Sequence, residues 1–172
     1  MKKILLLTGF ILISSVVFSQ KKEYVFKPKT PKYHKTEILD GKKICLKIKD
    51  KRVIAPESKV ECSFEDISDA IRKALEMTYY KAEFLQCDSI SENPSISIDV
   101  KSYNALFYSG MWHAQTKYIV TIKEGEKEKE EEIEQINRFF NVMGMSTVKK
   151  TLNKCFNNAN LRLMELINDN LD

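Results

Sequence analysis

Histidine and glycine, on which metal and phosphate sites depend, are scarce in this sequence. His34 and His113 are the two histidines, and they lie too far apart to give a local metal-ligand spacing. The five glycines are scattered, so the sequence has neither a glycine-rich phosphate loop nor the G-x-S-x-G pattern of a nucleophile elbow. These absences predict a chain without a metal site, a cofactor or a catalytic residue.

Neither sign of charge dominates the chain once its first residues are set aside. The full chain has 28 lysines and arginines against 24 aspartates and glutamates. The first 19 residues hold two of the lysines and no acid, which leaves 26 against 24 and a net charge of +2. A nucleic-acid partner requires a dense basic face, so the sequence predicts none.

A second long hydrophobic run is also missing, and the one present lies at the N-terminus. Lys2 and Lys3 precede an apolar run over 4–18, and small or β-branched residues lead to a cleavage position after Ser19. This order is typical of a secretory signal. The run is too short to span a membrane, and no cysteine follows it to carry a lipid. We therefore expect 1–19 to be a signal peptide and the mature chain to be exported, periplasmic or extracellular, without a transmembrane helix.

The stretch after the signal peptide is basic and contains prolines. Between Lys21 and Lys35 there are six lysines, one glutamate and two prolines. Proline removes backbone donors and like charges repel, so 20–41 is predicted to be an extended basic tether. An alternative is weak contact between this tether and an anionic envelope surface. A single ordered domain is predicted over 42–172, a length that suits one core.

The four cysteines are Cys45, Cys62, Cys87 and Cys155. An exported compartment permits disulfides, and four cysteines allow three pairings that the sequence does not rank. Free or buried thiols are favoured over bridges, because a core of this size needs no covalent cross-link. A thiol nucleophile at Cys62 or Cys87 beside His113 is an alternative, since the two members of such a pair need not be close in sequence.

Apolar periodicity places strands and helices in a clear order. Alternation over 44–48 predicts a strand, and a capping-box-like start at Ser63 with apolar residues at helical spacing predicts a helix. A short strand at 83–85, a long hairpin, an acidic strand edge at 128–134 and a final amphipathic helix from Gly144 follow. This order predicts an α+β fold, a two-layer sandwich with a mainly antiparallel sheet of four to five strands and two helices on one face.

Two turns fit the long hairpin in the middle of the chain. A two-residue turn at 109–110 places charged side chains on the apolar face. A three-residue loop at 108–110 shifts the pairing by one residue and puts its closing glycine where a left-handed conformation is needed. The three-residue loop is therefore predicted, with Val100 opposite Tyr118, Ile98 opposite Val120 and Leu106 opposite Trp112.

The predicted register places an apolar cluster on the face of the hairpin that points away from Trp112. The wet side of an antiparallel sheet usually carries fewer apolar residues, so this cluster predicts a protein-binding surface unless the tether or the segment around 139–140 covers it. Its predicted binding residues are Tyr103, Phe107, Met111 and His113, with Ala105 and Ile119 beside them.

Four features of the chain resemble a known group of envelope proteins. They are the strand ICLKI at 44–48 ending in DKR at 50–52, the helix closing on KAEF at 81–84, the paired strands and the terminal amphipathic helix. Together they resemble the YajG-like envelope lipoproteins and, more broadly, the TolB amino-terminal domain, over about 42–167. The chain differs in lacking the lipid-bearing cysteine and in having Glu83 where glycine is common. The resemblance implies a non-catalytic envelope binding module and supplies no site residues.

The sequence therefore favours one class of function and leaves two others open. The favoured class is an exported, non-catalytic module that binds a protein partner in the cell envelope. One alternative is a secreted small hydrolase or thiol enzyme, which needs a convergent polar pocket. The other is a small-ligand carrier, which would use a cavity between the sheet and the helices.

Overall fold

A five-stranded sheet, a small two-stranded sheet and two helices form the described part of the protein. The computed structural model describes residues 24–54, 58, 60–87, 94–140 and 144–171, so the predicted signal peptide lies outside the described residues. No helix within those ranges is long and apolar enough to cross a membrane. In chain order the elements are β1 (Tyr24–Val25), β2 (Lys43–Asp50), β3 (Val60–Glu61), α1 (Phe64–Thr78), β4 (Glu83–Gln86), β5 (Ser95–Tyr108), β6 (Met111–Glu124), β7 (Lys127–Phe140) and α2 (Met145–Asn170).

The large sheet has the strand order β4-β2-β5-β6-β7. Strand β2 runs parallel to both β4 and β5, whereas β5, β6 and β7 form an antiparallel meander. Both helices pack on one face, which we call the inner face, through α1 against β2 and α2 against β5, β6 and β7. The predicted α+β sandwich with two helices on one face is confirmed. On the opposite face of the sheet, the open face, the described residues place no helix.

Helix α1 begins at the residue pattern that predicts it. The Ser63 hydroxyl accepts a hydrogen bond from the Asp66 backbone N–H at 3.0 Å, which satisfies one of the unpaired donors of the first turn. After this cap, apolar residues recur at helical spacing and therefore share one face of the helix. Ile67, Ile71 and Leu75 lie on that face and are fully buried. The helix therefore joins β2 to the neighbouring strand β4 as a covered crossover.

The central hairpin contains a β-bulge that the sequence prediction did not include. Val100 lies opposite Tyr118 as predicted, but Lys101 is skipped and Ser102 lies opposite Lys117. The turn consists of two residues, 109 and 110, which both have positive φ, as a type I′ turn requires. The predicted three-residue loop is therefore wrong. The extra residue is accommodated at Lys101, so the two-residue turn and the apolar pairing are satisfied together.

The N-terminal segment differs from the extended free tether that its composition predicts. The side chains of Phe26 and Leu39 are buried in the core. The Lys29 backbone N–H donates to Asn153 of α2 at 3.0 Å, and the Tyr33 hydroxyl lies 3.3 Å from Asn157 of the same helix. The few apolar residues of this segment thus bind it to the domain, despite the surrounding lysines and prolines.

Two of the four cysteines are paired. The sequence prediction of free thiols is therefore wrong for these two residues. Cys45 and Cys87 form a disulfide. Strand β4 pairs with β2 so that Cys45 lies opposite Leu85, and Cys87 follows Leu85 by two residues on the same face. Cys62 and Cys155 are free and buried, as the sequence prediction favoured for them.

Candidate binding surface

Ion pairs cover most of the open face of the sheet. Among the described residues, Lys49 lies 3.8 Å from Asp99, and Lys117 lies 2.8 Å from Glu132. At such exposed positions each pair contributes little to stability, but together they keep this part of the face hydrated. The surface is therefore ordinary for the wet side of an antiparallel sheet over most of its length.

The end of the open face near the β5–β6 turn has a different character. Tyr108, Met111 and Phe140 lie side by side across the three strands, since Met111 is opposite both of the others. The exposed fractions are 52% for Tyr108 and 68% for Phe140. Further from the turn on the same face lie Leu106, His113 and Ile136. We call the six residues the tip patch: Leu106, Tyr108, Met111, His113, Ile136 and Phe140.

The rings of Tyr108 and His113 are stacked within the tip patch. Their centroids lie 3.7 Å apart with an interplanar angle of 14°. Burial and the nearby charge of Arg138 both lower the pKa of His113 below its usual value. The imidazole is therefore neutral at pH 7 and offers one hydrogen-bond donor and one acceptor. Beside this stack, a shallow hollow of about 100 Å³ is lined by Leu106, Tyr108, His113, Gln115, Ile136 and Arg138, together with Asn104.

Only some of the predicted binding residues reach the open face. Met111 and His113 do so, as does Ile119. Tyr103 is 4% exposed, and its hydroxyl donates to the Phe26 carbonyl at 3.2 Å. Phe107 packs against Trp112 on the inner face with ring centroids 5.2 Å apart. The prediction that these residues share one outer face is therefore wrong for Tyr103, Ala105 and Phe107.

The bulge at Lys101 is the physical reason for this difference. Because successive side chains of a strand alternate between faces, one extra residue exchanges the faces of all that follow. Tyr103, Ala105 and Phe107 thereby turn inward, and Leu106 and Tyr108 turn outward. Sequence reasoning missed Leu106, Tyr108, Ile136 and Phe140. Alternation in β7 could have revealed the last two, since Ile133 and Phe139 occupy the other face.

A second concave site lies beside the bulge, next to β3. This pocket has a volume of about 190 Å³. Arg52 forms one wall, and its guanidinium is held by Asp50 at 2.8 Å and by the Cys62 carbonyl at 2.9 Å. Asn104 also lines the pocket, and its buried side-chain oxygen has no hydrogen-bond partner within the described ranges. The remaining lining residues are Val53, Ile54, Ser58, Val60, Glu61, Cys62, Ser102 and Tyr103.

The cysteine thiols of the described residues are not arranged for nucleophilic catalysis. Burial raises the pKa of Cys62 to about 11, and the same cause raises the pKa of Cys155 to about 11. Both thiols are therefore protonated at neutral pH, and the thiolate is the reactive form. Cys87 is bonded to Cys45, and the ring that His113 contacts is that of Tyr108. In the part of the chain described, no group of three or more histidine, cysteine, aspartate or glutamate residues is placed to hold a metal ion.

Comparison with known proteins shows the fold and no more. No protein-family model and no curated protein matches the sequence. Protein XCC0632 from Xanthomonas campestris, of DUF330, is similar with a TM-score of 0.58 at 10% identity, over 85% of this chain and 96% of that one. An uncharacterized protein is similar with a TM-score of 0.50 at 9% identity, over 81% and 99% of the two chains. Rare lipoprotein B from Shewanella oneidensis follows with a TM-score of 0.47 at 9% identity, over 73% and 92%. At these identities the likeness to the first two structures describes the fold alone.

Proposed function

We propose that this protein is exported and binds a protein partner in the cell envelope through the tip patch. The observation that carries the proposal is the exposed apolar cluster on the open face, which neither helix of the described ranges covers, with Phe140 68% and Ile136 49% exposed. Exposed apolar residues are ordinary when scattered singly, but a contiguous group on one face is typical of an interaction site.

The composition of the tip patch fits protein recognition. Aromatic residues, methionine and arginine are enriched in protein interfaces, and charged residues form their rim. Tyr108, Phe140 and Met111 supply the apolar centre, while Arg138 and the ion pairs of the open face lie around it. The Tyr108–His113 stack holds two of the side chains in place, so less rotamer freedom is lost when a partner binds.

Two further features support an exported protein. The charged, apolar and then small residues at 1–19 are typical of a secretory signal. The disulfide between Cys45 and Cys87 supports maturation in an oxidising compartment, since such bridges are rare in the cytosol. The resemblance to envelope lipoproteins in sequence supports the same location.

A matched pair of variants tests this function. We would immobilise the mature protein, expose it to envelope extract of the cells that produce it, and quantify each retained protein by mass spectrometry. The Tyr108→Ser, Met111→Ser double variant should retain its partner at least tenfold less than the wild type. Ile119→Ser is the control, because Ile119 lies on the same strand and face about 27 Å from Met111. Equal recovery by all three folded proteins would contradict the proposal.

The pocket beside the bulge favours a second candidate function, the carriage of a small apolar ligand. Its volume of about 190 Å³ is comparable to that of engineered cavities that bind benzene. The unpartnered oxygen of Asn104 would accept a hydrogen bond from a hydroxyl group of such a ligand. We expect 1-octanol to bind in calorimetry and Val60→Phe, which fills the pocket, to abolish the binding. An absence of heat with the wild type would remove this candidate.

A further inference from the structure

Strand β7 forms a long edge of the sheet. It has 14 residues and pairs only with β6 among the described strands, because the strand order ends at β7. Glu124 and Lys127 close a two-residue turn and therefore form a hydrogen-bonded pair. Hydrogen-bonded and non-bonded pairs alternate along the ladder. It follows that the even-numbered residues of β7, from Glu128 to Phe140, direct their backbone N–H and C=O groups to the free edge.

Charge is distributed unequally along this edge. The first part of β7 contains five glutamates between Glu128 and Glu134, and like charges discourage pairing with another strand. The last six residues, 135–140, contain no acid and carry one cation, Arg138. Ile136 and Phe140 are exposed there. One half of the edge is thus protected from pairing by charge, and the other half is not.

We propose that β7 pairs antiparallel with β7 of a second copy of this chain, with the two-fold axis at Ile136. Even residues then face even residues, so the free backbone groups of both edges meet as hydrogen-bonded pairs. On the open face the pairs are Ile136 with Ile136, Glu134 with Arg138 and Phe140 with Glu132, the last two each occurring twice. On the inner face they are Ile133 with Phe139 and Gln135 with Asn137. The two sheets join into one of ten strands.

This register is set by the side chains. Moving the axis by one residue in either direction places Ile136 opposite a charged residue, which is Glu134 in one case and Arg138 in the other. Moving it by two residues places Glu134 opposite Glu134 or Arg138 opposite Arg138. Like charges directly opposite each other destabilise a strand pair, whereas opposite charges and apolar pairs stabilise it. The axis at Ile136 avoids both faults at these three positions, and it places Phe140 opposite Glu132 at each end of the paired segment.

Glu134 and Arg138 each have bonding capacity for the second copy. The two contacts of Glu134 within the described residues, with Gln115 at 2.7 Å and Lys117 at 3.9 Å, both use its Oε1 atom. The Oε2 atom is left for another donor. The guanidinium of Arg138 has no ion-pair partner in the described ranges, and its five N–H groups suit a carboxylate.

The helical layer accommodates the same symmetry. A two-fold axis perpendicular to the sheet places the helices of both copies on one side. Helix α2 packs over β6 and β7, so it lies about one strand spacing from the axis. The two α2 helices are then roughly 10 Å apart, a normal distance for packed helices. Arg162 of α2, paired with Glu131 of β7 at 3.1 Å, gives this side of the helix a polar surface.

Charge reversal tests the dimer and its register together. The molar mass of the mature protein would be measured by sedimentation velocity over a concentration series. We expect a concentration-dependent dimer for the wild type and an at least tenfold weaker dimer for Arg138→Glu, which opposes Glu134 with a second acid. Adding Glu134→Arg to Arg138→Glu should restore dimerisation. Lys127→Glu is the control, because it changes the net charge equally outside the paired segment and should leave the dimer intact.

Several outcomes would overturn the dimer proposal. They are a wild type that is monomeric at every concentration, equal dimerisation by wild type and Arg138→Glu, and a folded double variant that stays monomeric. Circular dichroism would establish that each variant is folded. An Ile136→Cys variant checks the axis separately, since it should form a covalent dimer under oxidation and Glu130→Cys should not. Ile136 and Phe140 belong both to the tip patch and to the paired segment, whereas Tyr108 and Met111 lie outside that segment. The partner test at Tyr108 and Met111 therefore gives a result that does not depend on whether the dimer forms.

Discussion

Lys101 is the residue that decides which side chains of β5 reach the open face. It is the extra residue of the bulge, and it lies half-buried beside Asp99 at 3.9 Å. Strict alternation along β5 would assign each later side chain to one face of the sheet. Because of the bulge, each of these side chains lies on the other face. The tip patch therefore depends on Lys101, although this lysine is not part of it.

Gly110 has a conformational role that can be measured. Its φ is +75°, and a Cβ added there would meet no atom within 4 Å, so a substitution acts through the backbone alone. Gly110→Val should lower the free energy of unfolding by about 1 kcal/mol or more, because β-branched residues resist positive φ. Gly110→Asn should cost much less, since asparagine adopts this conformation. Urea denaturation measures both, and a neutral valine variant would show that the turn has another form.

His113 should titrate below its usual pKa of 6.5. Burial is the larger cause and the charge of Arg138 the smaller, so Arg138→Gln should raise the pKa of His113 only part of the way. Because the folded state favours the neutral ring, the contribution of His113 to stability is complete above pH 6.5 and decreases as the pH falls through its folded pKa. NMR titration of the ring protons tests this shift. A pKa at or above 6.5 would contradict it.

The candidate site was predictable from sequence in part. Met111, His113 and Ile119 follow from plain alternation in β6, which has no irregularity in its pairing with β7. The sequence prediction places Tyr103 and Phe107 on the wrong face of the sheet. A bulge leaves no local signal in the sequence here, because a register without a bulge also satisfies the turn and the apolar pairs. The sequence prediction treats the segment around Phe140 as a possible cover for the cluster and does not place Ile136, since the neighbours of both residues across the sheet depend on long-range pairing.

At the scale of elements, the disulfide joins β2 to the end of β4. It closes a loop with a sequence separation of 42, for which the chain-entropy model gives a stabilisation of about 4 kcal/mol. The Cys45→Ala, Cys87→Ala variant should lose up to this much stability in urea denaturation. Peptide mapping without reduction should find Cys45 linked to Cys87, and Cys62 and Cys155 should react with iodoacetamide only after unfolding. Four free thiols in the native protein would contradict the pairing.

The order of elements was predictable because each depends on a local pattern. The alternation of β2, the cap of α1 at Ser63 and the apolar stripe of α2 are all contained within short windows. The parallel pairing of β4 with β2 and the docking of Phe26 and Leu39 are contacts between distant segments. Composition described 24–41 as basic and proline-containing, but it did not reveal that a few apolar side chains anchor the segment.

At the scale of the whole molecule, the two faces of the sheet have separate roles. The inner face and the two helices form the core, while the open face is hydrated except at the tip patch. The proposed dimer would extend the sheet sideways through β7 and bring the Ile136 residues of two copies together. Each copy would keep Tyr108 and Met111 exposed on the shared open face, so one dimer would present two partner sites.

Site-specific photocrosslinking in intact cells tests the partner site most directly. A benzophenone amino acid would replace Met111 in the tip patch or, as the control, Thr121 on the same strand and face about 33 Å away. After irradiation and separation of the envelope fraction, we predict a discrete adduct with an envelope protein at position 111 and none at 121. The absence of an adduct at 111, or equal adducts at both positions, would contradict partner binding through the tip patch.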